Sequence, residues 1–361
     1  MIKLLVVDDS PLMRRLLGEL FAAEGDFEVA FARDGVEALA ALGTFQPDVI
    51  TLDVQMPKMD GLECLDRIMV QRPTPVVMAS SVTVEGAAEA LRAIDLGAVD
   101  VIAKPTGAVS LRMAEFGPAL VQKVRAAAQA RLPKAHRLRD RIRAKSRAAP
   151  YLLPRTQKRT PAPSRRGAEG ERLVVVGAST GGPPALDALL GPLPADFPAP
   201  IVIAQHMPAA FTGALARRLN GLTALEVVEV GEPMPIEPGG VYLARGDADM
   251  IISRRGERLF ALSAPSSPSY HWRPSVDRLV DSAMDQVAAS GIFGVLMTGM
   301  GSDGAAAMTR LREAGGTTLA ESEATAVVWG MPGELVRAGG ASAVADLPDL
   351  AACLADMVGA P

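Results

Sequence analysis

Cysteine, histidine and aromatic residues are all scarce in this chain. Two cysteines, Cys64 and Cys353, lie far apart with no partners at metal spacing. That excludes a disulfide framework and a thiolate zinc site, and it suits a reducing cytoplasm. Long apolar runs are missing too: none approaches the roughly 18 residues that a membrane span needs. The apolar start, Ile2 to Val7, meets Asp8 and Asp9 at once, so it reads as a buried strand and not as a signal peptide. Secreted, membrane-spanning and zinc-finger readings are therefore poor expectations from the start. With three histidines in the whole chain, His136, His206 and His271, any chemistry needing an imidazole has few candidates.

What is present is a globular composition, 49% hydrophobic and 22% charged over 361 residues, enough for two domains and a connector. The net charge of −4 conceals an asymmetry. Residues 1–130 carry 12 Lys+Arg against 18 Asp+Glu, residues 131–172 carry 14 against 3, and residues 173–361 carry 11 against 20. The basic block contains Pro133, Pro150, Pro154, Pro161 and Pro163 and reads as a linker, with one apolar helical stripe available at Leu132, Leu138 and Ile142. The division expected is a first domain over 1–125, a linker over 126–170 and a second domain over 171–361.

In the first domain, short Val/Ile/Leu-rich runs at 2–7, 27–31, 48–52, 75–79 and 99–103 alternate with helical patterns near 11–24, 35–43, 61–70, 84–96 and 109–130. Five βα units predict a parallel sheet covered on both faces, with ligands gathering at the carboxyl ends of its strands. Asp8 and Asp9 end the first strand, Asp53 the third, Ser80 the fourth and Lys104 the fifth. Three neighbouring carboxylates repel one another unless a hard cation such as Mg²⁺ neutralises them. With the metal bound, one carboxylate can attack a phosphoryl donor while Lys104 and the metal stabilise the transferring group. The arrangement resembles the receiver domain of two-component response regulators, a flavodoxin-like (βα)5 fold. The resemblance implies Asp53 as phosphoacceptor, Asp9 with Asp8 and Asp53 as the metal site, Ser80 as the switch hydroxyl and Lys104 as the phosphate-binding lysine.

The second domain opens with RLVVVGASTGGPPALDALL, a buried strand running through a glycine-rich turn into a helix. The G-x-S-x-G pattern lifts the Ser179 hydroxyl above the sheet edge, where backbone N–H groups can stabilise an oxyanion. His206 ends the strand IVIAQ, and Asp303 sits in the turn TGMGSDGA after Ile292–Met297. A serine nucleophile needs a base, and the base needs an anionic partner to fix its tautomer. Ser179, His206 and Asp303 supply those roles from three strand ends; His271 with Asp247 or Asp249 is the rival pairing. A doubly wound, mostly parallel α/β domain is expected.

A receiver, a linker and a domain carrying GASTGGP, QHMPAAFTGALARRL, RPSVDRL, TGMGSDGA and EATAVVWGMPGE together resemble the chemotaxis protein-glutamate methylesterase and glutamine deamidase family. The resemblance implies Ser179 as nucleophile, His206 as general base and acid, Asp303 as its orienting partner, a backbone N–H at Met300 in the oxyanion hole and Thr180 beside the triad. It implies hydrolysis of glutamyl methyl esters and deamidation of glutamines on methyl-accepting chemotaxis receptors. It further implies a chemotaxis histidine kinase as phosphodonor, Mg²⁺ in the receiver, no cofactor for the esterase, a cytoplasmic location and a monomer without membrane insertion. Three features depart from the family pattern: the long basic linker, Arg245 where proline is common, and Ser302 in the acidic turn. A receiver followed by a basic segment also raises nucleic-acid binding. Against it stand the prolines, the near absence of aromatic residues and the acidic second domain. A catalytically silent scaffold is disfavoured by the complete Ser-His-Asp set.

Overall fold

Asp, Ser and Thr recur just ahead of the apolar helical stripes of the first half, and they set where its helices begin. Ser10 Oγ accepts the Met13 N–H, Asp34 those of Val36 and Glu37, Asp60 that of Glu63 and Thr83 that of Gly86, each a side-chain cap on otherwise unpaired donors. The computed structural model describes residues 1–105, 109–132 and 171–359, with the backbone alone for Val84 and 109–115. From residue 133 onward the expected linker, with His136, Leu138 and Ile142, lies outside the described residues. Among the described residues no helix is long and apolar enough to cross a membrane.

The first half runs β1 (Ile2–Val7), α1 (Pro11–Glu24), β2 (Phe27–Ala32), α2 (Gly35–Thr44), β3 (Val49–Asp53), α3 (Gly61–Gln71), β4 (Val76–Ser80), α4 (Val84–Asp95), β5 (Asp100–Ala103) and α5 (Val109–Ala128). Its five strands are parallel in the order β2-β1-β3-β4-β5. β1, β3 and β4 are interior, and apart from the half-buried Ile2 and Ala79 their apolar residues are buried on both faces, as continuous apolar runs require. Asp8, Asp53, Ser80 and Lys104 consequently meet at one rim.

The second half is built on a seven-stranded parallel sheet. It runs β6 (Leu173–Ala178), α6 (Gly182–Leu190), β7 (Ile201–Gln205), α7 (Ala209–Leu222), β8 (Glu226–Val230), β9 (Met234–Pro235), β10 (Gly240–Ala244), β11 (Asp249–Arg255), β12 (Arg258–Ala264), α8 (Val276–Met284), β13 (Ile292–Leu296), α9 (Ala305–Glu313), β14 (Thr317–Glu321), α10 (Met331–Arg337), β15 (Ala343–Ala345) and α11 (Leu350–Gly359). The order is β15-β14-β13-β6-β7-β10-β8, which makes β13, β6 and β7 neighbours near the centre. β9, β11 and β12 form a separate antiparallel sheet, an addition to the parallel architecture expected.

One apolar cluster crosses between the halves. Ala90, Leu91 and Ile94 of α4 belong to the same buried cluster as Leu186 of α6 and Phe211 and Leu215 of α7. Polar contacts surround it. The Gly181 N–H donates to the Val99 carbonyl at 3.2 Å, and the Arg131 N–H to the Val327 carbonyl at 3.1 Å. Arg218 of α7 bridges Asp95 of the first half and Asp187 of its own.

Candidate active site

At the rim of the first sheet, ligand oxygens of Asp8, Asp9 and Asp53 all lie within 4.8 Å of one another. The Lys104 ammonium is 2.8 Å from Asp8 and 2.7 Å from Asp53. Burial pushes the Asp53 carboxyl up, with Lys104 opposing and Asp8 adding to the rise. Burial works against the charge on Lys104, but the two carboxylates outweigh it and raise its pKa. An all-oxygen set of three carboxylates is the donor chemistry of a hard divalent cation. Ser80 is fully buried and donates its hydroxyl to the Gly86 carbonyl at 2.9 Å.

In the second sheet, three strand ends come together. Pairing of β6 with β7 sets Ala178 against Gln205, so Ser179 and His206 leave adjacent strands side by side. The turn after β6 closes through Gly181 at φ 79°, a left-handed conformation that suits glycine. Ser179 is pinned through its backbone. Its N–H donates to the Thr298 carbonyl at 3.0 Å, and its carbonyl accepts from Gly182 N–H at 2.8 Å and Gln205 Nε2 at 2.9 Å.

His206 Nε2 lies 2.8 Å from Asp303 Oδ2, both side chains being buried. Asp303 also takes the Val276 N–H at 2.7 Å, the Asp277 N–H at 3.1 Å and the Ser275 hydroxyl at 3.1 Å. Burial works against ionisation of Asp303, but the His206 contact and the two N–H groups outweigh it and hold its pKa below the usual carboxylate range. The neighbouring Asp277 is pushed up to about 6, by burial first and then by the charge on Asp303. An ionised Asp303 at Nε2 places the imidazole proton there and leaves Nδ1 as the acceptor. Nδ1 is buried and has no hydrogen-bond partner among the described residues. The Ser179–His206 bond is thus unmade in this arrangement, a contact that commonly tightens only when substrate binds.

The turn that follows β13 is fixed just ahead of Met300. The Gly299 N–H donates to Val328, and the Gly299 carbonyl accepts from Gly330 and Met331. Thr298 Oγ1 donates to the Thr180 carbonyl at 2.9 Å. Beneath the turn, the fully buried Glu321 accepts the Thr298 N–H at 2.7 Å, and burial pushes its carboxyl up to about 7. Thr180 Oγ1 points out of the second half and donates to Asp100 Oδ2 at 2.6 Å. Asp100 is held in turn by Lys123 at 2.7 Å.

Of the residues expected at this rim, Ser179 and His206 follow adjacent strand ends and Asp303 meets His206, while Thr180 and Met300, implied by the family resemblance, lie in the turns after β6 and β13. His271 is exposed, and Asp249 is spent on Ser275 N–H and Arg278, so the rival pairing has no geometric basis. Arg245 is exposed and pairs with Asp247; Ser302 is exposed. Four contributors were missed: Ser275 and the N–H groups after it, Trp272 stacked on His206, Glu321, and Asp100 from the other half. The segment RPSVDRL carried a signal for the first, a serine cap ahead of a helix whose free N–H groups receive an anion.

Comparison with known proteins places two family descriptions on the chain. "CheB methylesterase" matches residues 174–354 and "Response regulator receiver domain" matches residues 4–114. A protein-glutamate methylesterase/protein-glutamine glutaminase 2 of Rhodopseudomonas palustris is 55% identical over 98% of this chain and 97% of its own length. A protein-glutamate methylesterase/protein-glutamine glutaminase 3 of Rhodospirillum rubrum is 49% identical over 95% of this chain and 93% of its own. The crystal structure of the Thermotoga maritima CheB methylesterase catalytic domain is 37% identical, covers 53% of this chain and 100% of that one, and superposes with a TM-score of 0.51.

Proposed function

The chain belongs to the CheB methylesterase family, and from that premise we propose that it is a phosphorylation-regulated protein-glutamate methylesterase and protein-glutamine deamidase of chemosensory adaptation, acting through Ser179, His206 and Asp303. The observation that carries the mechanism is the buried His206–Asp303 contact, which leaves Nδ1 free on the strand end next to Ser179. Nδ1 takes the hydroxyl proton as Ser179 Oγ attacks the glutamyl carbonyl, and the oxyanion forms against the pinned turn at Met300. The tetrahedral intermediate collapses with the same proton passing to the leaving group. Methanol departs from an ester, or ammonia from a glutamine. Water, deprotonated by His206, then attacks the acyl-serine and releases glutamate. The substrates are methylated or amidated side chains on the cytoplasmic helices of chemoreceptors.

Asp53 is the phosphoacceptor in this reading, and a chemotaxis histidine kinase the donor. Asp8, Asp9 and Asp53 would hold Mg²⁺, which supplies charge neutralisation for phosphoryl transfer. Lys104 holds the acceptor carboxylate and meets the incoming phosphoryl oxygens. The unphosphorylated receiver is the cover: Asp100 on Thr180 and Val99 on Gly181 occupy the residues directly after the nucleophile, and a helical substrate cannot share that space. Phosphorylation activates by favouring an open arrangement, which requires only a difference in stability between the two. We place the division near residue 125, with the basic linker spanning the change.

The test is methanol release from methylated receptor, with and without a small phosphodonor and Mg²⁺. A fragment beginning at Glu171 should be a folded esterase that ignores the phosphodonor and exceeds the unphosphorylated full chain. A folded fragment no faster than that chain refutes the cover; a full chain releasing no methanol refutes the activity.

A further inference from the structure

The catalytic base rests on a residue that none of the foregoing roles includes. The rings of Trp272 and His206 lie with centroids 5.0 Å apart and planes 2° from parallel. Trp272 is half-buried, and its indole edge lies against Gly301, where a Cβ would fall 2.8 Å from Cζ2. The indole therefore fills the space between the imidazole and the turn that carries Met300.

His206 needs such a neighbour. The torsion that turns an imidazole about its Cβ–Cγ bond has a broad, shallow preference, so the side chain does not set its own plane. One hydrogen bond, from Nε2 to Asp303, fixes one ring atom and leaves any pivot about that contact to be checked by what packs against the buried ring. Nδ1 has no partner among the described residues to stop the pivot. A flat aromatic surface parallel to the ring supplies the missing constraint, since tilting the imidazole separates the stacked faces. The segment 271–277, a loop running into the first turn of α8, thus holds the base in two ways. Ser275, Val276 and Asp277 clamp Asp303, and Trp272 clamps the ring that Asp303 receives.

We propose that Trp272 is a positioning residue for the esterase reaction, acting through His206 by fixing the plane of the imidazole and with it the direction in which Nδ1 points. The proposal rests on the catalytic reading above. It distinguishes orientation of the base from a wall that merely touches substrate. Loss of orientation slows the chemical step, because misplacing a reacting group by about 1 Å can cost on the order of 10²-fold. Loss of a wall weakens binding of ground state and transition state alike and appears in KM.

The experiment uses the full chain activated with phosphodonor and Mg²⁺, with methylated receptor as substrate. Trp272→Phe keeps a flat ring, and Trp272→Leu keeps apolar bulk without one. Trp272→Phe should retain kcat within about threefold, while Trp272→Leu should lose roughly ten- to a hundredfold in kcat with KM moved by less than about threefold. The labelling rate of Ser179 by a fluorophosphonate, which needs the base but no receptor, should fall in parallel. Wild-type kcat in Trp272→Leu, a loss confined to KM, or an equal kcat loss in both variants overturns the proposal. Ser179→Ala separates the levels. If it remains active, the serine mechanism itself is wrong; if it is dead while Trp272→Leu is wild-type, only the role of Trp272 falls.

Discussion

Replacing Asp100 by alanine removes one hydrogen bond from the contact between the halves while leaving every residue of the proposed esterase site in place. The Thr180 hydroxyl donates to Asp100 at 2.6 Å, and both residues are buried. A hydrogen bond to a charged acceptor contributes about 1.5–3 kcal/mol net of the water it replaces. That range corresponds to a shift of about 10- to 150-fold in the open-to-closed ratio. Lys123 also loses its partner, but it does so in both arrangements, so that loss lowers the stability of the receiver without changing the ratio. The Gly181–Val99, Arg131–Val327 and Arg218–Asp95 contacts remain, and the variant stays responsive. The expected result is a rise in basal methanol release of about ten- to a hundredfold, limited by the rate of the fully open enzyme. Asp95→Ala is the internal comparison. Asp95 is 53% exposed, an ion pair of that kind contributes about 0.2–1 kcal/mol, and its loss should raise basal activity by less than about fivefold. Labelling of Asp53 by phosphodonor reports that the receiver is still folded. A labelled Asp100→Ala protein whose basal rate stays within twofold of wild type refutes the cover.

Ser179→Ala and His206→Ala should each abolish methanol release, since nucleophile and base act as one unit, and Asp303→Asn should cost less because the oxyanion donors remain. Turnover near wild type in Ser179→Ala rules out an acyl-serine. Asp53→Ala should lose the phospholabel and keep basal esterase activity, whereas Lys104→Arg should keep the label and lose activation, its planar guanidinium fitting the site of an ammonium poorly; a label persisting in Asp53→Ala means another acceptor. Glu321, pushed up to about 7, favours the neutral form in the fold, so its contribution to stability is complete below its unfolded pKa and is lost as pH rises through about 7. Wild type should therefore lose stability relative to Glu321→Gln between about pH 4.5 and 7, by on the order of 3 kcal/mol at most. Urea midpoints at pH 5.5 and 8 measure it through the combined emission of Trp272 and Trp329, the latter donating its indole N–H to the Glu321 carbonyl; parallel profiles dismiss the effect.

The receiver strands were legible because continuous Val/Ile/Leu runs bounded by Asp, Gly and Pro have few other uses, and their ends carried the charged residues outward to one rim. Ser179, His206 and Asp303 were legible for a related reason: each follows a buried strand of the same parallel sheet, and scarcity of histidine narrowed the choice of base. The antiparallel strands β9, β11 and β12 were not, because MIISRR and RLFALS alternate only weakly and a hairpin at Gly256 leaves little trace in periodicity. Trp272 and Glu321 were invisible as site residues since their parts depend on where a loop crosses and on which N–H a carboxylate meets. Asp100 is the sharpest case. A carboxylate at the start of a strand reads as an ordinary boundary residue, and only the docking of one half on the other gives it the Thr180 hydroxyl.

β5 is four residues long, with Asp100 at one end and Lys104 just beyond the other. At about 3.3 Å per residue the two side chains are joined by roughly 13 Å of extended backbone. The lysine that pairs with Asp8 and Asp53 and the aspartate that takes the Thr180 hydroxyl are opposite ends of one short, stiff lever. Its length is fixed by covalent geometry, so a strand shifted along its own axis moves both ends together. A single inserted residue in DVIA would break that correspondence while leaving both sites chemically whole, yielding a protein that accepts phosphate and hydrolyses esters as two unrelated activities.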